Sequence, residues 1–166
     1  ATTMPGDVTS IIAEEAAAIR DNRQLFYPTG LEEFDNQWGG LSNEGMTLLI
    51  GVSGHCKTTT LNRWAFGLAC NGYRAYLHAT ESSREQRIRD LVYTVAGLNQ
   101  IKCRTAPDKE AIVRRLTEAS EMVGDLPWEV TGSGMGIDEI CAKIRADHMA
   151  GKLDVALIDY IQDIPA

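Results

Sequence analysis

Cysteine, aromatic residues, long apolar runs and positive charge are all in short supply in this 166-residue chain, and each scarcity removes a class of protein. The four cysteines, Cys56, Cys70, Cys103 and Cys141, are widely spaced and form no C-x-x-C pair. That spacing writes neither a disulfide frame nor a local zinc site, and fits reduced thiols in a cytosolic protein. No apolar run approaches the ~18 residues of a membrane-spanning helix. The opening residues 1–7 lack the basic and apolar regions of a secretory signal. Lysine and arginine number 16 against 23 aspartates and glutamates, a net charge of −7. A surface that is a nucleic-acid footprint throughout is thereby excluded, though a local DNA channel is not. The three tryptophans, Trp38, Trp64 and Trp128, show none of the aromatic–basic interleaving that stacks single-stranded bases, and read as packing residues.

What is present is an ordinary globular composition, 44% hydrophobic and 23% charged, in one domain's length. The acidity is uneven: residues 1–45 hold eight carboxylates against two arginines, and the remainder is nearly balanced. Both ends read as cuts, with Ala-Thr-Thr before Met4 and a stop at residues 163–166 just after a strand-like run. The expectation is a piece of something longer.

Hydrophobic periodicity orders the chain. Val8, Ile11, Ile12, Ala16 and Ile19 predict an amphipathic helix over 7–25. Residues 26–45, rich in Gly, Asn and Asp, predict a structured loop. Residues 46–50, Met-Thr-Leu-Leu-Ile, predict a fully buried strand. A helix follows over 57–70, with Leu61, Trp64, Ala65 and Leu68 on one face and Asn71-Gly72 as its stop. Residues 74–80 read as a second strand, and Ser82-x-x-Glu85 as a capping box opening the next helix. Further helices are predicted from Pro107 and over 137–150, with a short strand at 128–131 and a buried one at 154–159. Alternating helices and apolar strands predict an α/β fold, a parallel sheet flanked by helices, with its ligand at the carboxyl ends of the strands.

Those ends carry the chemistry. The turn Gly51-Val52-Ser53-Gly54-His55-Cys56-Lys57-Thr58 follows the phosphate-loop pattern G-x-x-x-x-G-K-[ST], except that Cys56 replaces the last glycine. Successive N–H groups over Gly51, Ser53, Gly54, His55, Cys56, Lys57, Thr58 and Thr59 would form a nest for phosphate oxygens. Lys57 would add a point charge, and Thr58 a hydroxyl for Mg²⁺. Cysteine fits the sixth position of that loop only if the local φ is negative. The bland alternative is a glycine-rich turn with a surface lysine. Asp159 after four apolar residues reads as a Walker B carboxylate on the metal side, or else as a cap for the next turn. Glu81 after the second strand reads as a base for an attacking water, or as a helix-start residue favoured by the dipole. Arg84, Arg87, Arg89, Arg114 and Arg115 read as solvated helix faces or as subunit or DNA contacts. His78, in mid-strand, reads as a core or subunit-facing histidine.

Taken together, Thr29-Gly30-Leu31-x-x-Phe34-Asp35-x-x-x-Gly39-Gly40-Leu41, the phosphate loop, Thr80-Glu81-Ser82 and Ile158-Asp159-Tyr160-Ile161-Gln162 resemble the RecA-like ATPase domain of DnaB-type replicative DNA helicases. The resemblance implies a division into a linker-helix region, 1–27, and a partial RecA-like P-loop NTPase core, 28–166, incomplete at its C-terminal side. It implies ATP and Mg²⁺ as cofactors, Lys57 and Thr58 at the phosphates, Glu81 as water-activating base, Asp159 on the metal and Gln162 as a γ-phosphate sensor. It further implies a homo-oligomeric, hexameric ring moving on single-stranded DNA in replication, a primase or loader partner, no membrane, and the cytoplasm of a bacterial or phage-infected cell. The helix over 7–25 would dock on the adjacent subunit or on its own domain. The family's DNA-contacting loops, last core strands and arginine finger follow the Walker B strand, so these 166 residues are expected to unwind DNA weakly or not at all. The alternatives are another RecA-like ATPase, of recombinase or clock type, and a non-catalytic ring or loader subunit with a degenerate phosphate loop.

Overall fold

A computed structural model describes residues 8–21, 23–52 and 54–160. In chain order the elements are helix α1 (Val8–Arg20), strand β1 (Phe26–Tyr27), α2 (Glu32–Trp38), β2 (Leu41–Ser42), α3 (Lys57–Cys70), β3 (Ala75–Ala79), α4 (Arg84–Val95), α5 (Gln100–Thr105), α6 (Lys109–Gly124), β4 (Trp128–Thr131), α7 (Ile137–Met149) and β5 (Val155–Asp159).

The core is a three-stranded parallel sheet in the order β4-β3-β5. Leu77 at the middle of β3 sits level with Val130 and Leu157, which registers the two flanking strands. All five residues of β3 are buried, as expected of a central parallel strand with both faces covered. Leu68 of α3, Leu77 and Leu91 of α4 are completely enclosed in one cluster. Local capping sets the helix starts. Ser83, one residue later than the expected capping box, accepts the Gln86 N–H at 3.2 Å. Asn99 caps α5 and Asp108 caps α6 through their side-chain oxygens.

Three expectations change. Residues 26–45 are not a loop alone: β1 and β2 pair as an antiparallel ribbon around α2. The Asp35 carboxylate organises this segment, accepting from the Thr29 N–H (2.9 Å), the Thr29 hydroxyl (2.7 Å) and the Gly30 N–H (2.8 Å). The clasp lies directly on α3: a Cβ on Gly67 would stand 1.7 Å from the Thr29 carbonyl oxygen. Second, residues 46–50 form no strand. Met46, Leu48 and Ile50 are 75%, 57% and 86% exposed, and only Leu49 packs against the core cluster. The physical reason is the missing partner: β5 pairs with β3 on one edge, and no described residue pairs with its other edge. Third, α1 ends at Arg20, earlier than residue 25, and buries only Ala18, leaving Val8, Ile11, Ile12 and Ile19 exposed.

Candidate active site

Strand β5 with its carboxyl end and the start of α3 line one cavity of about 620 Å³, to which β3, Glu81 and Thr58 do not contribute. Gly51 and Lys57 line it from the loop side, Asp159 and Tyr160 from the strand side, and Leu49 and Leu157 from its apolar floor. The open edge of β5 forms one wall, with the unpaired 46–50 run across from it.

The loop enters α3 through Gly54, at φ +82°, and Cys56, at φ +57°. Cys56 is the only described non-glycine residue with positive φ. The condition under which cysteine would fit, a negative φ, is not met, and the left-handed conformation strains it by about 1 kcal/mol. Its side chain is exposed and makes no cap hydrogen bond. Thr60 donates to the Cys56 carbonyl at 2.8 Å, so the helix ladder begins there. The N–H groups of Lys57, Thr58 and Thr59 lie in the first turn, ahead of that ladder, and are free for an anion. The Lys57 ammonium donates to the Gly51 (2.8 Å) and Val52 (3.1 Å) carbonyl oxygens, folding across the loop it is expected to share with phosphate. Gly51, Gly54, His55, Thr58 and Thr59 are exposed. Ser53 and Gln162 lie outside the described residues.

Thr80 latches the two strand ends together. Its N–H donates to the Asp159 carbonyl at 2.9 Å, and its hydroxyl accepts from the Tyr160 N–H at 3.0 Å. The peptide between Asp159 and Tyr160 is cis. Beyond the latch, the Tyr160 phenol donates to a carboxylate oxygen of the exposed Glu81. Glu81 therefore projects from the end of β3 towards the residue after Asp159.

Asp159 itself is buried and ion-paired with Arg87, which is 2% exposed. Arg87 also donates from Nη1 to the Asn62 side-chain oxygen of α3 at 3.2 Å. This corrects the reading of Arg87 as part of a solvated face or of a DNA or subunit contact. Its spacing carried the signal: Arg87 stands one turn before Leu91, which is wholly buried in the core. The turn that Asp159 was alternatively expected to cap lies outside the described residues. His78, completely buried, shares a hydrogen bond with Thr131 at 2.8 Å through Nδ1. Burial and then the nearby Arg87 charge hold its pKa below the usual histidine value. Burial raises that of Tyr76 on the same sheet face.

The donors fit nucleotide and magnesium. Three free N–H groups and an ammonium suit phosphate, and a hydroxyl with one carboxylate suits a hard cation that shares the phosphate oxygens. Among the described residues no group of three or more His, Cys, Asp or Glu side chains converges as an all-protein metal cage. No described helix is long and apolar enough to cross a membrane.

Comparison with known proteins agrees with this geometry. The model of the DnaB-like helicase C-terminal domain family matches residues 27–166. No curated protein sequence matches the chain. Two solved structures share its fold at 20% identity over 97% of the chain. One is the ATPase domain of G40P, with a TM-score of 0.76. The other is a DnaB-like replicative helicase described with its interactions with primase, with a TM-score of 0.81. The chain spans 59% of the first and 40% of the second.

Proposed function

Because this chain belongs to the DnaB-like helicase C-terminal domain family, we propose that it is the Mg-ATP-binding and hydrolysing core of a hexameric replicative DNA helicase. The observation that supports this best is the single cavity lined by both Lys57 and Asp159. ATP with Mg²⁺ supplies the scissile phosphoanhydride and the metal that spreads its charge. The chain supplies the rest. The N–H groups of Lys57, Thr58 and Thr59 hold phosphate oxygens, and the Lys57 ammonium exchanges its two loop carbonyls for them. The Thr58 hydroxyl and Asp159 would hold the metal. Glu81, oriented by Tyr160, accepts the proton of the attacking water, and Gln162 reports the γ-phosphate. Residues 1–27 act as the linker region and 28–166 as the ATPase core. Translocation on single-stranded DNA, the homo-oligomeric ring, a primase or loader partner and a cytoplasmic setting complete the proposal.

The test is binding of a fluorescent ATP analogue and steady-state hydrolysis, with and without single-stranded DNA. Lys57→Ala should weaken binding at least about tenfold, the effect of removing one charge-assisted contact. Unchanged binding would refute the assignment of the site. A second reading, a nucleotide-binding ring or loader subunit that does not turn over, draws on the strained Cys56 and on the arginine already held by Asp159. Tight binding with no hydrolysis, in any oligomeric state and with DNA present, would select it.

A further inference from the structure

The ion pair beneath the site is not accounted for by any of its motifs. Arg87 and Asp159 have side chains only 3% and 6% exposed. Buried ion pairs contribute little net stability compared with apolar packing, because desolvation offsets the attraction. Here the arrangement carries a further cost, since Arg87 Nε is buried with no hydrogen-bond partner among the described residues. Stability alone is therefore a poor reason for an arginine at this position.

Its geometry suggests a better one. The guanidinium is a rigid fork, and here it engages two elements at once: Nη2 donates to Oδ2 of Asp159 on β5, and Nη1 to Asn62 on α3. Asn62 lies four residues after Thr58, on the same face of α3 one turn further in. Whatever fixes Asn62 fixes the turn that presents the Thr58 hydroxyl. The fork engages Oδ2 of Asp159, and Asp159 also lines the cavity. We propose that Arg87 is a positioning residue for the metal side of the nucleotide site: by bridging Asp159 and Asn62 it sets the carboxylate relative to the Thr58 hydroxyl. This rests on the functional reading above, and adds that the site's preference for Mg²⁺ is set from below, by a residue that touches neither metal nor nucleotide.

The experiment is a magnesium chloride titration of fluorescent ATP-analogue binding, alongside binding in EDTA and thermal unfolding without ligand, for the unsubstituted chain and for Arg87→Met, Arg87→Lys and Asn62→Leu. Binding in EDTA, which reports the phosphate loop, should stay within about twofold in all three. The magnesium concentration giving half of the metal-dependent gain should rise about ten- to a hundredfold in Arg87→Met, the range seen when a partner of a metal ligand is removed. Arg87→Lys keeps the charge but not the fork, and should rise by an intermediate factor; Asn62→Leu should rise least. Should Arg87→Met fail to fold, the other two variants carry the test. Lowered unfolding temperatures with unchanged magnesium midpoints would overturn the proposal and leave Arg87 a strut. A fall in the midpoint would overturn it too, by showing that Arg87 competes with the metal. Failure of the unsubstituted chain to bind the analogue even in magnesium would overturn the functional reading itself and this proposal with it.

Discussion

Strand β3 and the Met46–Ile50 run are both five-residue, largely apolar segments that lead into a chemically important turn. Every residue of β3 is buried, and it is hydrogen-bonded on both edges. The 46–50 run leads to the phosphate loop yet pairs with no described strand, and four of its five residues are exposed. The difference lies in their neighbours rather than in their composition. A strand is stabilised by its ladder partners and by the layers above and below, so an apolar run without an adjacent strand gains neither. Half of this site is therefore set in a rigid frame, the ends of β3 and β5 latched by Thr80, and half hangs from an uncovered segment through Lys57 and the loop.

Substitutions can break this comparison or sharpen it. Leu77→Ala in β3 should cost about 2–5 kcal/mol of unfolding free energy in a urea titration, as for other fully enclosed leucines. A cost below about 1 kcal/mol would mean that the sheet is not the frame described. Cys56→Gly, at the hinge between the two halves, should add about 1 kcal/mol of stability by removing the left-handed strain, and should tighten ATP-analogue binding. Loss of stability there would refute the backbone geometry. A pH series separates the halves in another way. The pKa of His78 is lowered in the folded state, so the folded form resists its protonation. The associated stability is fully present above the unfolded histidine pKa of about 6.5 and is lost as pH falls from there towards the folded value. His78→Asn should flatten that slope in acid unfolding curves, and a parallel slope would contradict it. The smallest effect belongs to the uncovered run: Leu48→Ala should change stability by no more than about 0.5 kcal/mol.

Much of the frame was legible in the sequence, because its signals are local. The helix over 57–70 coincides with α3, the strand at 128–131 with β4, and β3 and β5 lie within one residue of their expected limits. The phosphate-loop residues and Asp159 were visible from type and spacing, and the structure brings Lys57 and Asp159 to one cavity. What spacing could not supply was pairing across the chain. The fate of residues 46–50 depends on a ladder partner far away in sequence. The burial of Arg87 could be read from its place one turn before Leu91, but its partner Asp159, 72 residues later, could not. The conformation of Cys56 depends on how the loop closes over Lys57, which no residue type encodes. In the 26–45 segment the turn residues were read correctly as a break, but the reach of Asp35 back to Thr29 and Gly30 turns that break into a compact unit with its own helix.

That clasp meets α3 backbone against backbone, with the Thr29 carbonyl where a Gly67 side chain would have been. Two main chains in contact have no rotamers to rearrange, so the joint yields very little. A load applied to the segment leading into the domain would pass at Gly67 straight into the helix that carries Lys57 and Thr58, bypassing the sheet. The junction is thus a stiff seat for the 26–45 segment on α3, with no compliant layer between them.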